Sequence, residues 1–213
     1  MGRTLSTAAS TGFPSDSVAR GFDLRCKRRL TYARTVREEQ VVLLDRTGRV
    51  IGESPKADVH HRHTPLHLAF SVHVFDGDGR VLLTRRALRK RTWPGVWTNS
   101  CCWHPGVGEP MVDAVRRRVR HELGLEIENL RSVLPDYAYT ATDASGVVEN
   151  EICPVFAADT VHPNPALGTN PDEVMDFAWV EWSDAAVAMS ATPFAFSPWS
   201  VDQVALIGSH RRP

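Results

Sequence analysis

The chain has little lysine, little cysteine and no excess of either charge. Its 213 residues include three lysines and four cysteines, and 25 basic side chains balance 25 acidic ones. A balanced charge provides no general attraction to nucleic acid or to an anionic membrane surface. Four cysteines are too few for a disulfide-built fold of this length, so we expect a reducing, cytoplasmic environment. No apolar run is long enough to span a bilayer.

The length is sufficient for one domain with a buried core. Residues 1–20 are small and polar, rich in Ser, Thr and Ala, and show no periodic pattern. Such a composition is typical of disorder, and it also fits a transit peptide. We therefore expect a disordered N-terminal extension over 1–35, one domain over 36–205 and a flexible tail over 206–213.

Apolar patterns predict strands, one long helix, further strands and two short helices. Apolar runs flank the turn DRTG and again the turn DGDG, so both segments are predicted hairpins. Apolar residues share one helical face from Val112 to Leu123, and Gly124 ends that helix. Strands are predicted at 149–158 and 173–182, and short helices at 183–190 and 197–208. This order predicts an α+β fold, with mixed sheets sandwiched with helices in a single compact domain.

The segment WPGVWTNSCCWHP, residues 93–105, places two cysteines side by side, with a histidine two residues later. Adjacent cysteines can form a disulfide only through a strained ring, which disfavours a redox pair. Two interpretations remain for the reactive cysteine, a metal ligand or a group that attacks or transfers protons. The other cysteine is then a small buried neighbour.

Histidines and carboxylates in three segments indicate a divalent metal site. Four histidines crowd HHRHTPLH, residues 60–67, and His104 follows the cysteines. Glu149 and Glu151 lie two apart in a predicted strand, so both carboxylates face the same way. Three imidazoles and two carboxylates suit zinc, manganese or magnesium. The alternative is that these side chains are scattered over solvated loops.

The predicted helix carries part of a Nudix box, the motif that binds a magnesium diphosphate. Four positions keep its spacing: Glu109, Arg117, Glu122 and Gly124. Three positions depart from it: Trp103 stands for a glycine, and Arg118 and His121 stand for glutamates. Nudix hydrolysis uses that carboxylate cluster to hold the metals that activate water. The missing acids therefore disfavour hydrolysis, and binding of one magnesium through Glu122 stays open.

Five motifs together resemble the type 1 isopentenyl-diphosphate Δ-isomerases of the Nudix superfamily. In chain order they are LHLAFSVHVFDGDGRVLLTRRA, WPGVWTNSCCWHP, YTATDASGVVENEICPVFAA, DEVMDFAW and ATPFAFSPW. The resemblance covers about residues 40–200 and implies a Nudix-like fold and an isomerase of isoprenoid biosynthesis, which interconverts isopentenyl and dimethylallyl diphosphate. Moving the double bond of an unactivated alkene through a tertiary carbocation requires an acid and a base in a dry pocket.

The resemblance also implies roles for individual side chains. Proton transfer would use Cys102, Glu151 and Tyr139. A divalent metal (Mn, Zn or Mg) would bind His60, His67, His104, Glu149 and Glu151. The substrate diphosphate would bind Lys56, Arg86, Lys90 and Arg118, and it would share a magnesium ion with Glu122. The Trp199 ring would face the cation. His61, His63 and Cys101 are left without a role.

Trp103 is the main departure from the family, which has a small residue at that position. We expect its indole to line the pocket as a substrate-binding group, because Cys102 and His104 beside it are tethered to the site. This leaves open a longer or modified prenyl diphosphate, acted on by a divergent isomerase or a protonation-initiated cyclase. A Nudix hydrolase and a non-catalytic prenyl-diphosphate binder are further alternatives. The expected partner is a small molecule, and the chain is expected to be a monomer or weak homodimer.

Overall fold

A computed structural model describes residues 39–208 and residue 213, so the extension predicted over 1–35 lies outside the described residues. The strands in that range are β1 Gln40–Leu44, β2 Val50–Pro55, β3 His67–Leu68, β4 Phe70–Phe75, β5 Val81–Arg86, β6 Trp97–Thr98, β7 Cys101–Trp103, β8 Ile127–Leu134, β9 Ala138–Thr142, β10 Val148–Ile152, β11 Val155–Thr160 and β12 Val174–Val180. The helices are α1 Lys56–Val59, α2 Met111–Leu123, α3 Trp182–Ala191 and α4 Pro198–Ile207.

The strands form two mixed sheets, as the sequence predicts. The first sheet has the order β2-β1-β3-β10-β9. The second has the order β12-β5-β4-β11-β8, with β6 paired to β5 and β7 paired to β4. The pairs β3–β10 and β4–β11 are parallel, and the remaining pairs are antiparallel. The α+β prediction is confirmed, and β8 and β9 are strands that the sequence patterns did not predict.

Two stretches of chain pass from one sheet into the other side by side. After Ala69, β3 gives way to β4, and after Pro154, β10 gives way to β11. A hydrogen bond from the Ala69 N–H to the Ile152 carbonyl, 2.9 Å long, holds the stretches together at this junction. The single strand predicted over 149–158 is therefore two strands, since the chain breaks at a proline that has no N–H to donate.

The hairpin predicted around DGDG forms only at its turn, where Phe75 pairs with Val81. Beyond the turn the two strands separate, and residues 97–103 insert between them, with β6 on β5 and β7 on β4. Ser100 joins both sides, because its hydroxyl accepts from the Val74 N–H at 2.8 Å and donates to the Leu82 carbonyl at 2.6 Å. Polar side chains of WTNS thus replace the lost ladder bonds inside the sheet.

Helix α2 packs on the second sheet through Val115, Val119 and Leu123, all fully buried. Val112, which the periodicity places on this face, is 47% exposed, and Ala114 is buried in its place. The helix ends at Gly124, where φ is 67° and an added Cβ would lie 2.9 Å from the Gly168 Cα. Both the left-handed backbone and this close approach require glycine.

Helices α3 and α4 pack together against the face of the second sheet that holds Phe75, Leu83 and Ala157. Helix α4 continues to Ile207, two residues beyond the domain end predicted at 205. Among the described residues, no helix combines the length and apolar character needed to cross a membrane.

Candidate active site

A cavity of about 310 Å³ lies beside the junction of the two sheets. Most of the side chains predicted from the sequence line it: Lys56, His60, Arg86, Lys90, Cys102, Trp103, His104, Tyr139, Glu149, Glu151 and Trp199. The other three, His67, Arg118 and Glu122, are buried behind that lining. Lys56 and Trp199 are 143 positions apart in sequence, and the fold brings them and the other predicted positions together in one place.

Four potential metal ligands converge at one end of the cavity. The ligand atoms of His60, His67, His104 and Glu151 all lie within 4.8 Å of one another. The Nε2 atoms of His67 and His104 are 3.2 Å apart. Oε1 of Glu151 is 3.4 Å from Nε2 of His67 and 3.3 Å from Nε2 of His104. Every one of these side chains is buried, so water does not compete for the ligand atoms.

The tautomer of His67 fits a metal ligand. Its Nδ1 lies 2.9 Å from the carbonyl oxygen of Pro65, which can only accept, so Nδ1 carries the hydrogen. In the neutral form of the ring the Nε2 lone pair then points into the cluster, the arrangement in which a backbone carbonyl orients a metal-binding imidazole. The donor set of three imidazoles and a carboxylate therefore fits a divalent cation.

Glu149 lies next to this cluster and not within it. Its Oε2 is 3.1 Å from Nε2 of His60, and its Oε1 accepts a hydrogen bond of 2.6 Å from the Thr92 hydroxyl. His61 and His63 face each other at a ring separation of 6.5 Å, outside the cluster. Of the four crowded histidines, His60 and His67 are therefore the two that reach the site.

Burial and hydrogen bonding act in opposite directions on the ionisable groups of the cluster. Burial favours the neutral form of Glu151, but hydrogen bonds from His104 and His67 outweigh it and hold the pKa of Glu151 well below its usual range. Burial lowers the pKa of His104 to about 3, against the pull of Glu151. Burial acts to lower the pKa of His67, but the hydrogen bond and charge of Glu151, the Pro65 carbonyl and the charge of Glu149 outweigh it, so this pKa is raised.

Cys102 reaches the same cavity from β7. Its sulfur lies 3.0 Å from Oδ1 of Asn99 and 3.1 Å from Oγ of Ser71. Burial raises the pKa of the thiol to about 11, although the hydrogen bond with Ser71 lowers it, so the thiol is protonated near neutrality. Cys101 projects from the opposite face of the strand into the core, where it is 2% exposed.

Aromatic rings form one wall of the cavity. The Trp199 ring is 2% exposed, and its Nε1 donates to Oδ1 of Asn99 at 3.1 Å. The Tyr139 ring lies 5.7 Å from it, and the Trp93 ring packs perpendicular to it at 5.2 Å. Trp93 has a φ of 43°, a left-handed backbone that is unfavourable for a bulky residue and is held here by this packing.

Trp103 lines the cavity at its basic end. Its ring centroid lies 2.6 Å from Nζ of Lys56, 3.1 Å from Cζ of Arg118 and 4.5 Å from Nζ of Lys90. The residue belongs to β7 and does not have a positive φ, so the tryptophan is accommodated without left-handed backbone. The indole therefore faces the cations predicted to bind diphosphate and not the Trp199 wall.

Carboxylates already neutralise these cations. Arg118 contacts Glu122 at 2.6 Å and Glu173 at 2.7 Å, and Glu173 also contacts Lys90 at 2.5 Å. Burial favours the neutral form of Glu173, but Lys90 and Arg118 lower its pKa to about 2. Glu173 was not predicted from the sequence. It lies inside the DEVMDFAW motif, but nothing in that motif indicates that Glu173 pairs with buried cations.

The other side chains of the incomplete Nudix box are engaged in hydrogen bonds on and around α2. Glu109 forms two hydrogen bonds with Arg117, of 2.7 and 2.8 Å, and accepts from the Gly106 N–H at 2.7 Å. The exposed ring of His121 lies with its Nε2 3.1 Å from Nδ2 of Asn170. Among the described residues, the metal-ligand grouping contains none of the α2 side chains.

Comparison with known proteins identifies the domain family. Residues 65–200 match the NUDIX domain family, so the chain carries a Nudix domain. Its fold is similar to the crystal structure of DR0079 from Deinococcus radiodurans, with a TM-score of 0.62 at 16% identity over 81% of this chain and 100% of that chain.

Sequence relatives define the family more narrowly. The isopentenyl-diphosphate Delta-isomerase of Agromyces mediolanus is 58% identical over 169 residues, which are 79% of this chain and 81% of that protein. The isopentenyl-diphosphate Delta-isomerase of Mycolicibacterium vanbaalenii is 57% identical over 79% of this chain and 91% of that protein. The chain belongs to the isopentenyl-diphosphate Delta-isomerase family.

Replacing a ligand of the histidine cluster is expected to remove bound divalent metal. In His67→Ala the cluster loses the imidazole whose lone pair Pro65 orients, so metal affinity should fall at least tenfold. His61→Ala is the matched control and should retain metal. Metal analysis of both dialysed proteins provides the measurement, and a metal-free His61→Ala protein would show that the wrong histidine was assigned.

Binding of inorganic pyrophosphate is expected to weaken as the pH rises through neutrality. Burial lowers the pKa of Lys56 to about 7, so its charge is present below that pH and lost above it. Calorimetric titrations between about pH 6 and pH 9 should show a steeper loss of affinity for the wild type than for Lys56→Gln. The comparison cancels the titration of pyrophosphate itself, and parallel pH profiles would refute a contribution from Lys56.

Proposed function

We propose that this chain interconverts isopentenyl diphosphate and dimethylallyl diphosphate. The observation that carries the proposal is a single cavity lined both by Cys102, Glu151 and Tyr139 and by the cations Lys56 and Lys90. The first three offer proton transfer, and the cations suit a diphosphate. The names of relatives at 58% and 57% identity support the same activity.

The reaction moves one proton onto an alkene carbon and removes another from the opposite end of the allylic system. Cys102 and Glu151 are proposed to carry out these transfers, with Tyr139 assisting, since Tyr139 pairs directly with Glu151 in the β9–β10 ladder. Because the reaction is reversible, each group donates in one direction and accepts in the other. Glu151 is buried and Cys102 and Tyr139 are half-buried, so the proposed proton-transfer groups lie in a cavity wall that limits access of water to the carbocation.

The cation and the diphosphate need separate stabilisation. The Trp199 ring is proposed to face the tertiary carbocation, and such a contact in a dry site is worth roughly 2 kcal/mol. Lys56, Arg86, Lys90 and Arg118 are proposed to hold the diphosphate, which would otherwise leave from the allylic position. Arg86 is already positioned by hydrogen bonds of 3.1 and 2.9 Å to the Thr92 carbonyl.

The metal cluster is proposed to hold manganese, zinc or magnesium through His60, His67, His104 and Glu151, with Glu149 as the fifth ligand. Such an ion would supply fixed positive charge that keeps Glu151 ionised and polarises its neighbours. A magnesium ion that arrives with the diphosphate is proposed to use Glu122, whose carboxylate is now paired with Arg118.

The size of the cavity favours a five-carbon substrate. A volume of about 310 Å³ is at the lower limit of small-molecule pockets, which disfavours longer prenyl chains. The Trp103 ring fills the basic end, so it does not extend the hydrocarbon wall for a larger carbocation. Hydrolysis is disfavoured, because Arg118 occupies the position of a box acid. We further propose that the protein acts in the cytoplasm as a monomer or weak homodimer.

Cys102→Ala is expected to abolish isomerisation of isopentenyl diphosphate and to leave the metal content unchanged, because the thiol donates a proton and is not a ligand. Cys101→Ala, the matched control, removes a neighbouring sulfur from the core and should retain most of the activity. Turnover assays and metal analysis of both proteins test the assignment. A similar loss of turnover in both variants would contradict it.

Trp103→Gly is expected to lower the KM for isopentenyl diphosphate severalfold and to change kcat little. The indole contacts three cations that are proposed to bind the diphosphate, Lys56, Lys90 and Arg118. Cation–π contacts of roughly 0.5–2 kcal/mol therefore compete with diphosphate binding. Trp103→Phe keeps a ring and should stay near the wild-type KM. A higher KM in the glycine variant would show that the indole supports the cations and does not compete for them.

A further inference from the structure

The sulfur of Cys102 is held by two polar side chains of opposite character. Asn99 has a fixed orientation, because its Nδ2 donates to the carbonyl oxygens of Val72 at 3.2 Å and Cys101 at 3.1 Å. Its Oδ1 therefore faces the sulfur, at 3.0 Å, and can only accept. In this position the thiol hydrogen points to Asn99.

Ser71 lies on the other side of the sulfur, and Gln203 orients its hydroxyl. Nε2 of Gln203 donates to its oxygen at 2.9 Å. A hydroxyl has one hydrogen, so Ser71 is left to donate to a sulfur: Cys102 at 3.1 Å, or Cys153 at the longer distance of 3.5 Å. Ser71 and Gln203 are both fully buried, so water cannot replace either bond.

One helix supports both partners of the thiol. Trp199 and Gln203 are four residues apart on α4 and therefore lie on the same face. Trp199 donates to Asn99 at 3.1 Å, and Gln203 donates to Ser71 at 2.9 Å. Neither Ser71 nor Gln203 lines the cavity, so they reach the substrate only through Cys102.

We propose that Ser71, oriented by Gln203, is a positioning residue for Cys102. The chain of donors runs in one direction, from Gln203 to Ser71 to the sulfur. When the S–H bond breaks and a C–H bond forms on the alkene, the electron pair stays on the sulfur, and the Ser71 hydroxyl donates to that charge. The reverse transfer returns the proton to the same sulfur. This inference rests on the proposed role of Cys102.

A double-mutant cycle on kcat tests the donor chain. Ser71→Ala should lower kcat about tenfold to a hundredfold, the effect expected for one hydrogen bond to a charged group, with KM little changed. Gln203→Leu should lower kcat less, because the hydroxyl remains but loses its direction. The double variant should resemble Ser71→Ala alone, since Gln203 acts through Ser71. Ser200→Ala, a fully buried serine of α4 that contacts Met189, is the matched control and should retain wild-type kcat.

Each alternative result overturns the proposal. Wild-type kcat in Ser71→Ala, wild-type kcat in Gln203→Leu, or losses that simply multiply in the double variant would each show that no donor chain operates. If Ser71→Ala does not fold, the kcat of Gln203→Leu still decides. A wild-type protein without isomerase activity would refute the proposed function itself, and an active Cys102→Ala protein would refute the role of Cys102 on which this inference rests. An inactive Cys102→Ala protein with a normal Ser71→Ala protein would refute this inference alone.

Discussion

The parallel pairing of β3–β4 with β10–β11 is the constraint on which the site depends. At the junction of the two sheets it sets His67 directly opposite Glu151, and Ser71 opposite Val155. A slip of one residue in either stretch would turn each side chain to the opposite face of its sheet, because side chains alternate along a strand. The same register therefore fixes the Glu151 carboxylate beside the histidine cluster. Because Ser71 pairs with Cys102, it also fixes the thiol relative to that cluster. His67, Glu151 and Cys102, to which metal binding and proton transfer are proposed, are thus positioned by the backbone hydrogen bonds of their strands.

The segment 97–103 carries Cys102 into the second sheet and interrupts the backbone pairing there. Because it separates β4 from β5, part of the ladder between them is lost, and buried side-chain groups of Asn99 and Ser100 take over its hydrogen bonds. A buried polar network stabilises a structure only when its members are satisfied, and unsatisfied members cost about 1–3 kcal/mol each. The bonds that hold this segment in the sheet also orient Asn99, so the requirements of the fold and of Cys102 are met by the same atoms.

Much of the site could be predicted from the sequence, because its motifs have specific spacing and the fold brings them together. Less could be predicted where the outcome depends on contacts distant in sequence. Helical periodicity placed Val112 in the core, but the sheet beneath α2 is covered by Ala114. The turn at DGDG indicated a hairpin, and nothing local showed that another segment would open it. Glu173 has no distinguishing neighbours in sequence, and its importance appears only where Lys90 and Arg118 meet it. Contacts between residues that are distant in sequence cannot be recognised from local sequence patterns.

The basic end of the cavity fits the role proposed for helix α2, which is to bind a diphosphate without hydrolysing it. Arg118 places a positive charge at a position where the Nudix box has a glutamate, and the side chain is 2% exposed. An unpaired buried guanidinium is strongly unfavourable, so the charge requires partners in the absence of an anion. Glu122 and Glu173 supply them, and the Trp103 ring covers the guanidinium. In the proposed complex, the oxygens of a diphosphate would take the place of these carboxylates. The proposed binding is therefore an exchange between sets of charges, in which the carboxylates keep the cations ordered until the anion replaces them.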